Sequence, residues 1–242
     1  YAYGYRRGAH VGTSLSPMSA RQDGPGSRVF HEYFDDGKWF DGETHSGRGS
    51  TLAYTRRLRL ELPVLLPAFG VRSMLDAPCG DFNWMAHVAL PRSLDYIGGD
   101  VVEGLIAHNR ERFAGPGRSF QVLDVTADPL PSVDVWMLRD CLFHFSFDDI
   151  LATLRNFERS DIPLLLTTSY FAARRNVDVD TGGYRQLNLE IEPFGFPPPL
   201  AQIDDWVEGS GRRRLSLWHR RWLPAVGNIA ARVEALESAE PD

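Results

Sequence analysis

Three short apolar runs that each lead to an aspartate, at even spacing, constrain this chain more than any other feature of its sequence. The first, Met74-Leu75-Asp76, continues into Ala77-Pro78-Cys79-Gly80-Asp81, and the next two lead to Asp100 and Asp124, with 24 residues from each aspartate to the next. That interval accommodates a strand, a crossover helix and the following strand. Apolar runs without alternation read as parallel strands buried on both faces. Carboxylates at the carboxyl edge of such a sheet stand where open α/β folds bind ligands, and they suit ribose hydroxyls and an adenine amino group. A nucleoside cofactor is the natural reading.

The rest of the chain fits around that core. Residues 1–50 are rich in Gly, Ser and Arg, with turn signals at Asp23-Gly24-Pro25-Gly26 and Asp35-Asp36-Gly37, so little regular structure is expected there. Their aromatic residues, Tyr33, Phe34, Trp39 and Phe40 among them, nevertheless suit a lid folded over a site. A helix is expected from a Ser50 cap through Leu52, Leu58, Leu62, Leu65 and Leu66, ending at Pro67 and Gly70. Strands are expected over 71–76, 96–100, 120–124, 133–138 and 163–168, with helices over 82–88, 102–113 and 148–159, the last capped by Ser146. Residues 186–191 and 214–220 supply strands six and seven. Between them Phe194-Gly195-Phe196-Pro197-Pro198-Pro199 lacks ladder donors and is expected to wall a substrate pocket. A last helix spans 225–236. The fold class is therefore α/β, a Rossmann-like doubly wound sheet of seven strands, with an N-terminal lid segment over 1–50 and one domain over 51–242.

Composition narrows the functions. A chain of 242 residues that is 43% hydrophobic can bury a large core. A net charge of −6 and an acidic end at Glu234, Glu237, Glu240 and Asp242 argue against a nucleic acid partner. Lys38 is the only lysine among 26 basic residues, a bias that reads as genome composition. Cys79 and Cys141 lack metal-binding spacing and read as reduced thiols. No apolar run approaches the about 20 residues of a membrane span, and Arg6-Arg7 are not followed by an apolar stretch. No membrane partner and a cytoplasmic location are expected, as monomer or homodimer.

The loop after the first strand can hold a negative group on its backbone amides, and Gly80 permits close backbone approach to a ligand. A dinucleotide fingerprint needs three glycines where this loop has one, which counts against NAD. Leu75-Asp76-Ala77-Pro78-Cys79-Gly80 resembles the first motif of the class I S-adenosylmethionine-dependent methyltransferases. Pro78 and Phe82 depart from it, standing where many members have glycine. Ser46-Gly47-Arg48-Gly49-Ser50, Leu138-Arg139-Asp140-Cys141-Leu142-Phe143-His144 and Gly183-Tyr184-Arg185-Gln186-Leu187-Asn188-Leu189 extend the resemblance to bacterial carbohydrate O-methyltransferases. The resemblance implies S-adenosyl-L-methionine as cofactor and a small saccharide as acceptor, in its most specific form the 1-hydroxyl of a methylated mannoside in methylmannose polysaccharide biosynthesis. It implies that Asp76 and Gly80 lie beside the methionine part, that Asp100 binds the ribose and that Asp124 with Val125 frames the adenine. Ser50, Ala77, Cys79, Trp84, Val101 and Arg139 complete the expected cofactor set.

Transfer of a methyl group to a hydroxyl needs the oxygen, carbon and sulfur aligned and the hydroxyl deprotonated. His144, past the fourth strand, is the expected general base because imidazole titrates near neutrality. Asp140 can orient it, or bind the acceptor, if the residues between form a helical turn. Trp39 and Tyr170 can stack on a sugar, and Tyr184, Arg185 and Asn188 can bind its hydroxyls, although exposed arginines and core aromatics explain the same residues. Magnesium held by Asp140, Asp148 and Asp149 is a less favoured variant, since Ser146 and Asp148 read more simply as a helix start; no metal site is expected. A non-catalytic protein binding an adenosine ligand on the same fold is the alternative, with His144 as a core residue.

Overall fold

The computed structural model describes residues 25–239. The first 24 residues of the expected lid, the Arg6-Arg7 pair, the start of the turn at Asp23 and the acidic Glu240 and Asp242 lie outside the described residues.

Seven strands form one sheet: β1 (Ser73–Asp76), β2 (Asp95–Asp100), β3 (Arg118–Val122), β4 (Val135–Leu138), β5 (Leu164–Ser169), β6 (Ala201–Asp204) and β7 (Arg214–His219). Their order is β3-β2-β1-β4-β5-β7-β6. The first five run parallel, and β7 enters antiparallel between β5 and β6. The order reverses between β1 and β4, which makes their carboxyl ends the switch point of the sheet. This is the Rossmann-like arrangement expected.

Helices α1 (Pro25–Asp35), α2 (Arg56–Ala68), α3 (Glu103–Phe113), α4 (Phe147–Arg159) and α5 (Val226–Ala239) accompany the strands. Two apolar clusters fill the two faces. Trp136, Leu75, Leu138 and Leu165 meet α4 and α5 through Ile150, Leu154, Phe157 and Ile229. Met74, Val135, Met137 and Leu166 meet α2 and α3 through Leu58, Leu62, Leu66 and Ile106. Successive residues of β4 thus point to opposite faces and are both apolar, which is why that strand reads as an unbroken apolar run.

Several expected elements differ. Residues 25–35 form α1 where little regular structure was expected. The helix after Ser50 begins only at Arg56, because tertiary bonds claim the preceding stretch: Arg139 donates to the Gly49 carbonyl, Asn83 to that of Ser50, and the Leu52 amide to Glu43. Residues 82–88 contain a single 3-10 turn, Met85–His87, because Phe82 has a φ of 58° and cannot start a right-handed helix. Phe82, which the resemblance marks as a departure from glycine, therefore keeps a backbone conformation that glycine adopts freely. Strand β3 ends at Val122, two residues before Asp124.

Residues 186–191 are not a strand; the position at the sheet edge belongs to β6, and Leu187 and Leu189 are buried in the core beside β5 instead. The proline-rich stretch does not wall the cavity at the carboxyl ends of the strands either. Phe194 and Phe196 are core residues, and Pro197 accepts a hydrogen bond from Trp218. The α4 cap is as expected, with Ser146 accepting from the Asp149 amide. No helix among the described residues is long and apolar enough to cross a membrane.

Candidate functional site

A cavity of about 290 Å³ opens at the carboxyl ends of β1, β2 and β4. Its lining includes Asp76, Cys79, Gly80, Trp84, Asp100, Val101, Asp124, Val125, Arg139, Asp140 and His144, together with Trp39 and Ser50 from the N-terminal segment. Most of the expected cofactor set is therefore gathered around one space. Ala77 is not: it is fully buried, its amide donating to Met137 and its carbonyl accepting from Trp136, so it holds the loop from beneath.

Asp100 ends β2 and accepts from the Gly80 amide at 2.9 Å and the Val102 amide at 3.0 Å. Burial raises its pKa, and those amides together with the His31 charge oppose the rise. Asp76, at the end of β1, accepts from the Tyr96 hydroxyl at 2.6 Å. Burial pushes it up to about 7, against the Tyr96 hydrogen bond and Arg139. Asp124 caps its own turn, accepting from the Thr126 amide and hydroxyl, so it serves local structure as well as lining the cavity. Leu105, Leu123 and Val125 give that end of the cavity apolar walls.

Gly80 has a φ of 56°, and a Cβ there would lie 2.1 Å from the Ser46 hydroxyl oxygen. What requires glycine at this position is thus a close approach by the N-terminal segment. Asp81 fastens that segment: its carboxylate accepts from the Thr44 hydroxyl and the His45 amide, both at 2.7 Å, and from the Ser46 hydroxyl at 3.2 Å. Phe30, Phe34 and His45 join Trp39 in the wall that this segment contributes.

Past β4 the chain turns sharply, with Asp140 at a φ of 52° and a 3-10 turn over Leu142–His144. Non-glycine residues held in the left-handed region persist where surrounding contacts over-determine them, and here Thr168 accepts from the Asp140 amide while Arg213 donates to its carboxylate at 2.8 Å. Asp140 also lies 3.4 Å from Arg139. Arg139 in turn donates twice to the fully buried Asp205, at 3.0 Å each, and its guanidinium lies over the Trp84 ring. Two arginines and two aspartates thus form a neutral buried network. Nearby Arg139 and Arg213 lower the Asp140 pKa against the effect of burial. The expected pairing of Asp140 with His144 is therefore corrected: both line the cavity and interact by charge, but the Asp140 carboxylate is bonded to Arg213.

His144 is oriented by backbone. Its Nδ1 lies 2.6 Å from the Gly183 carbonyl oxygen, so the neutral ring is protonated at Nδ1 and carries its free lone pair at Nε2. Trp39, Phe143 and Tyr184 surround the ring. Burial lowers its pKa, while the Gly183 bond and Asp140 oppose this and Arg213 and Arg185 reinforce it.

Of the expected acceptor residues only Trp39 lines the cavity. Arg185 is buried and donates to the Phe145 carbonyl, with its guanidinium near the Phe147 ring. Asn188 binds Ala173 and Asn176 and pins a loop. Tyr170 accepts from Arg213 and Tyr184, while Tyr184 is largely exposed. None of these four lines the cavity. Asn188 bonds to backbone and to Asn176, and the two tyrosines bond to each other and, through Tyr170, to Arg213. Arg185 reaches the Phe145 carbonyl through Nη1, while its Nε and Nη2 are buried without a hydrogen-bond partner among the described residues. Lining residues to which the sequence reading gave no role include Phe30, His45, Leu105, Leu123, Phe145 and Thr181. The run of aromatic residues in 30–40 was the available signal for the first of them; Thr181 carried none. Asp149 opens α4 and is hydrogen-bonded by the Thr181 hydroxyl. Among the described residues no three His, Cys, Asp or Glu side chains are grouped to hold a metal ion.

Solved structures with this fold include a SAM-dependent methyltransferase from Leishmania major, with a TM-score of 0.61, 12% identity and coverage of 80% of this chain and 83% of that one. Another is the 1,6-didemethyltoxoflavin-N1-methyltransferase of Burkholderia thailandensis, solved with 1,6-didemethyltoxoflavin and S-adenosylhomocysteine, at a TM-score of 0.56, 16% identity and coverage of 84% and 93%. A third is the magnesium protoporphyrin IX methyltransferase of Synechocystis PCC 6803 with bound SAM, at a TM-score of 0.55, 16% identity and coverage of 83% and 99%. No protein-family model and no curated protein matches the sequence. At these identities the likeness is one of fold: the chain has the class I methyltransferase fold.

Proposed function

We propose that this chain is an S-adenosylmethionine-dependent O-methyltransferase that methylates a hydroxyl of a small saccharide. The observation that carries the reading is a neutral, backbone-oriented His144 in the same cavity as the Asp76, Asp100 and Asp124 carboxylates. The residues fit the cofactor. Asp100 suits a ribose diol, the slot between Leu105, Leu123 and Val125 suits a flat purine, and Asp76 with Arg139 suits an amino acid's ammonium and carboxylate. S-adenosylmethionine supplies a methyl group on a sulfonium and leaves as a neutral thioether.

What the chain contributes is position and one proton transfer. As the acceptor oxygen bonds to the methyl carbon and the carbon–sulfur bond breaks toward sulfur, the hydroxyl proton passes to His144 Nε2. The Gly183 carbonyl stabilises the resulting imidazolium through Nδ1–H. Trp39 and Phe30 offer faces for a sugar ring, and Asp140 and Asp149 offer acceptors for its other hydroxyls. In its most specific form the acceptor is a methylated mannoside with a free 1-hydroxyl. The N-terminal segment is the lid that excludes water, over a catalytic domain formed by residues 51–242, and no metal ion is needed for these steps.

The test is calorimetric titration with S-adenosylhomocysteine, alongside Asp100→Ala and with NAD as control, followed by methyl transfer to partially methylated mannosides. Saturable binding that weakens in Asp100→Ala, together with transfer that is lost in His144→Ala, supports the proposal. A folded protein that does not bind S-adenosylhomocysteine overturns it. Binding without transfer to any hydroxylated acceptor points to the non-catalytic reading.

A further inference from the structure

The side chain of His144 is held from two directions, and one of them starts in the N-terminal segment. The loop that carries the Gly183 carbonyl lies against the 3-10 turn: the Gly182 amide donates to the His144 carbonyl at 2.7 Å, and the Arg185 amide donates to Phe143 at 3.2 Å. The opposite side of that loop faces α1. The Tyr33 hydroxyl donates to the Gly182 carbonyl at 3.1 Å. Gly182 has a φ of 96°, and a Cβ there would lie 2.8 Å from Val29, so α1 sits directly on this peptide. Tyr33 also packs edge-on against Trp39, with ring centres 5.2 Å apart, and Trp39 lies against the His144 ring at 5.4 Å.

We infer that Tyr33 is a positioning residue for His144: by holding the Gly182 carbonyl from α1 it fixes the neighbouring Gly183 carbonyl on Nδ1 and so keeps Nε2 as the proton acceptor. The inference rests on His144 being the base of the proposed reaction. It ties the chemistry to the lid, since displacement of α1 releases both the Gly182 contact and the Trp39 face. A carbonyl fixed beside Nδ1 selects one tautomer of a neutral imidazole, and a carbonyl free to turn away does not.

Nitrogen-15 NMR of the imidazole side chains of the full chain tests this without an acceptor, with His144→Gln identifying the His144 signals. The wild type is expected to show the Nδ1–H form at neutral pH. Tyr33→Phe removes only the hydroxyl. It is expected to lower the ratio of that tautomer to its alternative by about five-fold, the worth of one ordinary hydrogen bond, and to speed exchange of the Gly182 amide, while S-adenosylhomocysteine affinity stays within about two-fold of wild type. Gly182→Ala, which presses on Val29, is expected to shift the tautomer in the same direction. An unchanged tautomer and unchanged Gly182 exchange in Tyr33→Phe overturn the inference. So does weaker cofactor binding with the tautomer intact, because Tyr33 would then serve the cofactor site alone. Failure of the wild type to bind S-adenosylhomocysteine would instead sink the proposed function, leaving the tautomer result as a separate finding.

Discussion

At the scale of single residues, the site depends on groups whose charge is set by burial. His144 is held below the ordinary imidazole pKa mainly by burial, so it is neutral and able to accept a proton at pH 7. Replacing it with alanine is expected to reduce turnover by about 10² to 10⁴ while leaving S-adenosylhomocysteine affinity unchanged, as calorimetry beside a transfer assay will show. The acid limb of the pH–rate profile is expected below the midpoint of a free histidine, since Asp140 only partly offsets burial, Arg213 and Arg185. Asp76 carries the opposite sign. Its folded pKa, pushed up to about 7, lies above that of the unfolded carboxyl near 4, so the native state binds more protons between those values. The Asp76 contribution to stability is full below about pH 4 and is lost as pH rises through about 7. Urea unfolding of the ligand-free protein from pH 5 to 8 is expected to show this decline in the wild type and a flatter profile in Asp76→Asn. Both residues were legible in the sequence as chemistry, but neither state of charge was, because burial is a property of the packed chain.

At the scale of elements, the segment ahead of α2 is bound to the loop after β1 by Asp81, through Thr44, His45 and Ser46. Thr44 is fully buried, so Asp81→Ala would leave its hydroxyl proton without this acceptor as well as freeing the segment, although its oxygen still accepts from the Ser46 amide. The expected cost is about 1–3 kcal/mol in denaturant unfolding, with faster amide exchange at residues 43–50 and weaker S-adenosylhomocysteine binding. Strands β1 to β5 and β7 and the helices α3 and α4 were readable from apolar runs and the Ser146 cap, because each of those signals is local. The late start of α2 was not, since the bonds that hold residues 49–52 come from Arg139, Asn83 and Glu43, distant or looped-out partners that no helical period reveals. Residues 186–191 failed as a strand for a related reason. Their apolar positions are genuinely buried, but β6 holds the neighbouring place on β7.

At the scale of the molecule, Arg139 and Asp140 past β4, Asp205 past β6 and Arg213 before β7 tie the antiparallel edge of the sheet to its parallel centre beside the cavity. Removing Arg213 leaves two aspartates facing Arg139 alone, an uncompensated negative charge beside the cavity. Arg213→Met is expected to cost about 3–5 kcal/mol in urea unfolding and to weaken cofactor binding, because Asp140 and Arg139 both line the cavity. A smaller loss of stability would mean that water reaches the network and screens it.

The sequence by itself determined the doubly wound sheet, the strand-end carboxylates Asp76 and Asp100 and the position of His144 past β4, because these follow from strand period, buried apolar runs and chain direction. Only the tertiary structure decided that Asp140 answers to Arg213, that Ser46 is what crowds Gly80, and that Arg185 and Asn188 face inward to backbone. The physical reason is range. Period and capping act over a few residues, whereas a hydrogen bond spanning 73 residues of chain, such as Arg213 to Asp140, exists only once the sheet has brought its ends together.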